Sequence, residues 1–274
     1  MKKYLILDAN NLLFRARYAA ARRSYDNAII HVFFRSLKPI IEKFSPDVAF
    51  FVLDGKPVRR LGLLPEYKGT RKYHDDDNFQ EQRRKCIELI SQCIPMTVCR
   101  HPEAEADDVI AHLVLNQLPE NSEKVIVSSD TDFIQLCQDS PNTFLYNPIR
   151  KTYVDIPDYP YAVWKALRGD GSDNIDGFRG IGDKRAATLS ENKEILNLYL
   201  EDEDKKAKFD RNMDLIQLTG FTSSQKIERS YSSDLESLYS HFNKLRFSSM
   251  INDKSWKSFS KVFGGLEDGT SSFE

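Results

Sequence analysis

The sequence of 274 residues has few cysteines and no long apolar run. Its longest strongly apolar run, Val48–Leu53, is far shorter than the roughly 20 residues of a transmembrane helix. The apolar stretch after Lys2 and Lys3 is interrupted at Asp8, so the pattern of a secretory signal is missing. No two cysteines have the Cys-x-x-Cys spacing of a zinc site, which predicts reduced thiols in a cytoplasmic protein without membrane contact. The four cysteines are Cys86, Cys93, Cys99 and Cys137.

An excess of charge of one sign is also missing. Lysine plus arginine number 39 and aspartate plus glutamate number 41, which leaves a net charge of −2 at pH 7. This balance argues neither for nor against nucleic-acid binding, because what matters is whether the two signs are segregated in space. Hydrophobic residues at 41% and charged residues at 29% are close to globular proportions, and the length allows one large domain or two modest ones.

Three predicted strands in the first half of the chain end in an aspartate. The apolar runs Tyr4–Asp8, Val48–Asp54 and Val125–Asp130 alternate with helical patterns at 28–44 and 103–118. This alternation predicts an α/β fold in which a parallel sheet carries helices on both faces. The second half is mostly helical in pattern, with predicted helices at 161–167, 184–200, 205–218, 235–245 and 255–263. We therefore expect a core at 1–160 and a helical region at 161–274.

The strand-end aspartates belong to a larger set of acids. Because ligands bind beyond the carboxyl ends of parallel strands, Asp8, Asp54 and Asp130 are expected to converge. An aspartate after one strand commonly just begins a loop, but three such carboxylates on one edge would repel each other without a cation. Six further acids occur in short acidic segments of the chain: Glu105, Asp107, Asp108, Asp132, Asp170 and Asp173. An all-oxygen set predicts Mg²⁺ or Mn²⁺, and its size favours two ions.

Parts of this set also have ordinary explanations. Acids such as Asp107 and Asp108 are favoured in a first helical turn by the helix dipole. The pair Asp130 and Asp132 alone is weak evidence, because phosphotransferases and glycosyltransferases use similar pairs. A phosphatase of the haloacid dehalogenase type would need Asp-x-Asp after the first strand, where this chain has Asp8-Ala-Asn10.

Five motifs in one order resemble the 5′-nuclease family, which includes flap endonucleases, the 5′-nuclease part of bacterial DNA polymerase I and phage ribonuclease H. The match spans roughly residues 4–190 and looks most like the phage enzymes. The motifs are Asp8-Ala-Asn10, Leu64-Pro-Glu-Tyr67-Lys68-Gly-Thr-Arg71, Glu105-Ala-Asp107-Asp108, Ser129-Asp130-Thr-Asp132-Phe133 and Gly169-Asp170-Gly-Ser-Asp173 with the glycine-rich stretch that follows it.

The resemblance implies roles for these residues. All nine acids would ligate or orient two Mg²⁺ ions, for which Mn²⁺ can substitute, and Asp8 and Asp130 would act in catalysis. Lys68 and Arg71, taken as one helical turn apart, would offset charge on the scissile phosphate. Tyr67 would stack on a terminal base. The residues around them, about 56–85, would form a helical arch that passes a single 5′ strand.

The resemblance also implies a helix–turn–helix hairpin at about 166–190 that binds DNA and can hold K⁺. Its turn offers backbone amides at a helix start, and its basic side chains would contact phosphates without reading sequence. An ordinary interhelical turn is the alternative. The residues expected to contact DNA there are Arg179, Gly180, Gly182, Lys184 and Arg185.

Together these features predict a structure-specific 5′→3′ nuclease that acts at 5′ flaps, nicks and RNA–DNA junctions, as in primer removal. Its expected partners are DNA and RNA–DNA hybrids, with a single-strand-binding protein and a sliding clamp as candidates, the latter through Phe273. A monomer in the cytoplasm, or in the host cytoplasm for a phage protein, is expected. The alternatives are a metal-dependent single-strand ribonuclease and a catalytically silent scaffold that binds DNA forks.

Overall fold

A computed structural model describes residues 1–70, 77–220 and 227–270. Arg71 and the rest of 71–76 in the predicted arch, as well as Phe273, therefore lie outside the described residues. The described part of the chain holds a seven-stranded sheet with the order β6-β5-β4-β1-β2-β3-β9 and a two-stranded ribbon, β7-β8. The strands are β1 Lys3–Asp8, β2 Val48–Leu53, β3 Thr97–Arg100, β4 Glu123–Val127, β5 Thr143–Asn147, β6 Thr152–Tyr153, β7 Gly169–Asp170, β8 Ile175–Asp176 and β9 Glu228–Ser230.

The centre of the sheet is parallel. Strand β1 pairs with β2 and β4 on its two sides, so that Leu5 lies opposite Ala49 and Val125. Strands β3 and β5 extend the parallel arrangement, and the antiparallel strands β6 and β9 form the edges. The carboxyl ends of β1, β2 and β4 therefore meet at one edge, as the sequence predicts.

Helices cover both faces of this sheet. Their bounds are α1 Ala9–Ala20, α2 Ala28–Phe44, α3 Val58–Leu63, α4 Asp77–Cys93, α5 Ala106–His112, α6 Ile134–Asp139, α7 Tyr161–Arg168, α8 Asp183–Glu191, α9 Lys193–Tyr199, α10 Glu203–Ile216, α11 Leu235–Lys244, α12 Ser248–Ile251 and α13 Asp253–Phe263. A π-helical turn, Leu113–Gln117, continues α5, and a 3-10 turn, Thr131–Phe133, precedes α6. None of the helices in the described ranges is both long and apolar enough to cross a bilayer.

The alternation of side chains along β1 divides the core in two. Leu5 and Leu7 pack on one face with α2 and α4, whereas Tyr4 and Ile6 pack on the other face with α5. Because apolar side chains fill both faces, the strands are apolar throughout instead of alternating with polar residues. The predicted α/β class with a parallel sheet between helical layers is confirmed.

The C-terminal helices join the first of these cores. Phe242 of α11 and Phe259 of α13 are buried with residues of α2, and the Phe242 ring lies 5.1 Å from that of Phe34. Residues from both predicted regions thus share one hydrophobic core. The predicted boundary at residue 160 stays a prediction.

Candidate active site

Asp8 ends β1 and also caps the helix that follows it. Its carboxylate accepts a hydrogen bond from the backbone N–H of Asn11 at 3.0 Å, which satisfies a free donor at the start of α1. The hydroxyl of Ser128, just beyond β4, donates to the other carboxylate oxygen at 2.8 Å. Two neighbouring strands therefore fix this carboxylate at the edge of the sheet.

Asp54 and Asp130 lie beyond the two strands beside β1. The Asp54 carboxylate accepts from the backbone N–H of Ala106 at 2.6 Å and from the side-chain amide of Asn10, which joins the end of β2 to the start of α5. Asp130 caps the 3-10 turn by accepting from the backbone N–H of Asp132 at 2.9 Å. Backbone geometry thus directs all three predicted strand-end acids to one place.

The carboxylates at this edge are close enough to repel one another. Burial, together with the charges of Asp54 and Asp130, raises the pKa of Asp8 to about 7, although hydrogen bonds from Asn11 and Ser128 lower it. Burial also raises the pKa of Asp107 well above its usual range, and the nearby carboxylates of Asp130 and Asp8 add to this rise. The predicted convergence of Asp8, Asp54 and Asp130 is present in the structure, and Asp107 of α5 joins them.

A second group of acids surrounds Lys165, a residue that the sequence reasoning missed. The Lys165 ammonium lies 2.7 Å from the Asp170 carboxylate and donates a hydrogen bond to Asp132. Burial disfavours each charge, but Lys165 and Ser172 lower the pKa of Asp170 to about 2. For Asp132 burial prevails over Lys165, and its pKa rises to about 6. In the sequence, Lys165 is marked only as the one lysine in the otherwise apolar stretch Tyr161–Leu167.

A third group of acids consists of Glu105 and Asp173, and both contact Tyr67 and Lys68. The Tyr67 hydroxyl lies 3.0 Å from a carboxylate oxygen of each acid and can donate to either. The Lys68 ammonium donates to Glu105 and lies 3.9 Å from Asp173, and its backbone N–H donates to the Asp173 carbonyl at 3.1 Å. Burial lowers the Lys68 pKa, but the two carboxylates outweigh it and raise the value overall.

This arrangement corrects two predictions about the segment. The Tyr67 side chain is only 6% exposed and offers no face to a base, so its predicted stacking role is wrong for this arrangement. Lys68 adopts a left-handed conformation with φ of 57° in a turn, so it does not lie on a helix as the prediction assumed. The predicted role of Arg71 itself stays a prediction, since that residue lies outside the described ranges.

Asp108 is paired with Arg60, a second residue that the sequence reasoning missed. The buried guanidinium of Arg60 contacts both Asp108 oxygens at 2.5 and 2.8 Å and Glu105 at 2.8 Å. Asp108 and Glu105 also form a reciprocal capping box at the start of α5. The alternative stated for this segment, acids of a first helical turn, describes Asp108 better than the predicted metal ligation. In the sequence, Arg60 was one of many basic residues in 56–85.

The predicted hairpin residues lie on the surface between α7 and α8. Gly180 has φ of 77°, which a side chain would strain, and Gly182 begins α8 without a side-chain cap, so amides there remain available. Beneath the turn, Lys208 donates to the Gly177 carbonyl at 2.7 Å, and apolar residues of both helices pack together. All five predicted residues, Arg179, Gly180, Gly182, Lys184 and Arg185, are exposed, and so is Asp183, whose carboxylate pairs with Arg168.

The chemistry of these donors fits divalent cations of the hard type. The groups border a polar pocket of about 320 Å³. Its lining includes Lys68, Lys165, Asp107, Asp130, Asp132, Asp170 and Asp173. Within the described ranges, no three His, Cys, Asp or Glu side chains are arranged to hold an ion by themselves. Carboxylate oxygens nevertheless suit Mg²⁺, which keeps several waters and needs few protein ligands. Burial is the main cause of the raised pKa values of Asp8 and Asp107, and neighbouring carboxylates add to it, so a bound cation would stabilise the charged forms of both acids.

Comparison with known proteins defines the class to which this fold and site belong. The family described as "5'-3' exonuclease, N-terminal resolvase-like domain" matches residues 3–159. The chain therefore belongs to the 5′-3′ exonuclease family. This membership confirms the resemblance that the five motifs indicate.

Two relatives in sequence are bacterial proteins. The chain is 32% identical over 205 residues to DNA polymerase I of Treponema pallidum, which covers 69% of the chain and 20% of the polymerase. It is 29% identical over 202 residues to the 5'-3' exonuclease of Mycoplasmopsis pulmonis, with 70% of the chain and 67% of that protein covered. The chain thus spans only about a fifth of the Treponema polymerase.

Solved structures share the fold over nearly the whole chain. The phage T5 D15 protein, co-crystallised with metal ions, aligns with a TM-score of 0.64 at 20% identity and covers 97% of this chain and 100% of its own. The catalytic core of Rad2 in complex with a DNA substrate aligns with a TM-score of 0.56 at 19% identity, covering 97% and 92%. The chain therefore shares its α/β fold with proteins that have been crystallised with metal ions and with DNA.

Proposed function

We propose that this chain is a structure-specific 5′→3′ nuclease that hydrolyses phosphodiester bonds at 5′ flaps, nicks and RNA–DNA junctions. The observation that carries the proposal is the convergence of Asp8, Asp107 and Asp130 at one sheet edge, where their mutual repulsion favours cations. Family membership supports the activity. Among neighbours of the same fold, the phage T5 D15 flap endonuclease has been crystallised with DNA and metal ions, and human GEN1 with Holliday junction DNA.

The proposed cofactors are two Mg²⁺ ions, for which Mn²⁺ can substitute. Asp8, Asp54, Asp107 and Asp130 would hold one ion, and the group around Asp132 and Asp170 would hold the other, with Glu105 and Asp173 at the border. When bound, such ions would act as Lewis acids toward the phosphate and acidify a water molecule. The T5 neighbours crystallised with metal ions support a divalent cofactor.

The remaining residues of the pocket would place the substrate. Glu105 and Asp173 hold the Lys68 ammonium at the border of the pocket, where it would offset the negative charge that develops on the phosphate. Tyr67 keeps both carboxylates oriented toward Lys68 by hydrogen bonding. Arg71 is proposed to assist Lys68, and this part of the proposal rests on the sequence motif alone.

The exposed hairpin is the proposed site for duplex DNA. Arg179, Lys184 and Arg185 would contact phosphates, while the amides after Gly180 and at Gly182 would bind a phosphate at the start of α8. A K⁺ ion is proposed between the carbonyls of 177–185 and the DNA backbone. Duplex affinity measured in KCl and in LiCl at equal ionic strength tests the K⁺ site, since Li⁺ should not replace K⁺ there.

The proposed activity is tested by cleavage of a labelled 5′-flap substrate with and without Mg²⁺. We expect Asp130→Asn to abolish cleavage while the flap still binds, and we expect the exposed control Asp155→Asn to leave both unchanged. Full cleavage by Asp130→Asn would contradict the assignment. Preference for an unstructured RNA over the flap would favour the single-strand ribonuclease, and binding without cleavage in Mg²⁺ and Mn²⁺ would favour the silent scaffold.

Partners and assembly remain part of the proposal. RNA–DNA hybrids are proposed as substrates because primer removal requires their cleavage. A single-strand-binding protein and a sliding clamp are proposed partners, and the chain is proposed to act as a monomer. Sedimentation of the chain alone and with each partner tests these points, and a stable dimer would contradict the monomer.

A further inference from the structure

Lys165 is a buried ammonium that bridges two carboxylates from separate parts of the chain. Asp132 comes from the 3-10 turn after β4, and Asp170 comes from β7, directly after α7. The Lys165 side chain is 11% exposed, lies 2.7 Å from Asp170 and is hydrogen-bonded to Asp132. One positive charge therefore holds together two acids that the fold otherwise brings in from different directions.

The position of this ammonium is one that a divalent cation would need. An ammonium and a magnesium ion both take carboxylate oxygens as nearest neighbours, at about 2.8 Å and about 2.1 Å respectively. The two cannot occupy the same space between Asp132 and Asp170. Because the lysine stem is long and flexible, and the adjoining pocket of about 320 Å³ is lined by Lys165 itself, the ammonium has room to move aside.

The electrostatic balance of the group supports such an exchange. Lys165 carries one positive charge between two negative ones, and Asp130 adds to the repulsion at Asp132. The ammonium thus neutralises only part of the charge. A doubly charged ion would neutralise more of it, whereas removal of Lys165 without replacement would leave Asp132 and Asp170 opposed in a buried place.

We propose that Lys165 is an internal counter-ion that occupies the place between Asp132 and Asp170 in the metal-free enzyme and is displaced when a divalent cation binds there. This inference rests on the proposed metal-dependent function. It adds that Lys165 and the divalent cation compete for the place between Asp132 and Asp170. Lys165 keeps the two acids together before metal arrives, and it lowers the apparent affinity for the ion that replaces it. Lys165 is therefore a positioning residue of the metal-free state.

The proposal predicts a gain of metal affinity when Lys165 is removed. Apparent affinity is reduced by the fraction of molecules whose site is open, so a site that is about 90% occupied by Lys165 would bind about tenfold more tightly without it. We expect Lys165→Met to bind Mn²⁺ about tenfold more tightly than the native chain and to unfold at a lower temperature in EDTA. A merely structural role would weaken Mn²⁺ binding.

Calorimetric titration of the DNA-free protein with Mn²⁺ tests this prediction. Arg168→Met is the matched control, because it removes a positive charge from the same helix and pocket while sparing Lys165, Asp132 and Asp170. We expect Arg168→Met to change the Mn²⁺ affinity less than threefold and Lys165→Arg to keep the native affinity. Equal gains in Arg168→Met and Lys165→Met would reduce the effect to general electrostatics and overturn the proposal, as would weaker binding by Lys165→Met.

A spectroscopic experiment covers the case in which Lys165→Met fails to fold. In the native chain with ¹⁵N-labelled lysine, the ammonium signal absent from Lys165→Arg identifies Lys165. We expect this signal to be protected from solvent exchange in EDTA and to lose that protection as Mg²⁺ is added. Unchanged protection at saturating Mg²⁺ would overturn the displacement, whereas an absence of Mg²⁺ binding altogether would instead contradict the proposed function.

Discussion

Replacing Arg60 by methionine removes the cation that joins three elements of the structure. The guanidinium of Arg60, on α3, contacts Asp108 at 2.5 and 2.8 Å, Glu105 at 2.8 Å and the carbonyl of Leu215 at 2.8 Å. All of its partners lie in the interior, and Asp108 is only 8% exposed. Methionine has a similar length and leaves no large cavity, so the substitution tests the charge and its hydrogen bonds.

The expected loss of stability follows from the buried carboxylates that Arg60→Met leaves without their cation. Removing one partner of a buried ion pair destabilises a protein by about 3–5 kcal/mol, because the other charge stays buried without compensation. We expect Arg60→Met to lower the free energy of unfolding by this amount, and Tm to fall by about 2–4 °C for each kcal/mol in a chain of this size. Adding Asp108→Asn to Arg60→Met should recover about 1–3 kcal/mol relative to the sum of the single changes.

Urea unfolding monitored by circular dichroism measures these changes. The neighbouring Arg59 is exposed and bonds only the Asp214 carbonyl among the described contacts, so Arg59→Met is the matched control, with an expected loss of about 0.5 kcal/mol. A loss below about 1 kcal/mol for Arg60→Met, or strict additivity with Asp108→Asn, would refute the reasoning.

Three further predictions concern the acids, the lysine and the hairpin. Because the pKa of Asp8 is raised by burial to about 7, above the roughly 3.9 of an unfolded chain, the metal-free protein takes up a proton on folding between these values and loses stability as pH rises through them. Asp8→Asn should reduce that loss in urea unfolding at pH 5 and pH 8 in EDTA, and an unchanged difference would contradict the assignment. Lys68→Ala should lower kcat more than it raises KM on a flap substrate, and an equal effect on both would assign Lys68 to general phosphate binding. Removing Lys184 and Arg185 together should weaken duplex binding without changing sequence preference and reduce the slope of log affinity against log salt by about 2; an unchanged slope would place the duplex elsewhere.

The sequence predicts the sheet edge well because local rules determine it. Strand β1 was predicted over Tyr4–Asp8 and spans Lys3–Asp8, and the strand-end acids follow from the parallel topology alone. Helix ends follow from capping residues where these are present. The predicted helix at 184–200 is instead two helices, because the Asn192 side chain caps the start of α9 and interrupts the run.

The partners of the acids could not be predicted in this way. Arg60 and Lys165 lie far from Asp108 and Asp132 in sequence, and each is one basic residue among the 39 that the chain contains. Their pairing depends on how α3 and α7 pack, which no local pattern specifies. Tyr67 shows the same limit, since its burial against Glu105 and Asp173 is a property of the assembled fold.

The capping bonds of Asp8 and Asp130 change how substitutions of these residues should be interpreted. Each carboxylate accepts a backbone N–H at the start of a helical segment, so alanine would disturb the local backbone along with the chemistry. Asparagine keeps an oxygen for that backbone N–H while it removes the charge. An alanine scan would therefore overstate the effect of both positions on activity. The asparagine variants separate the loss of the carboxylate charge from a disturbance of the local backbone.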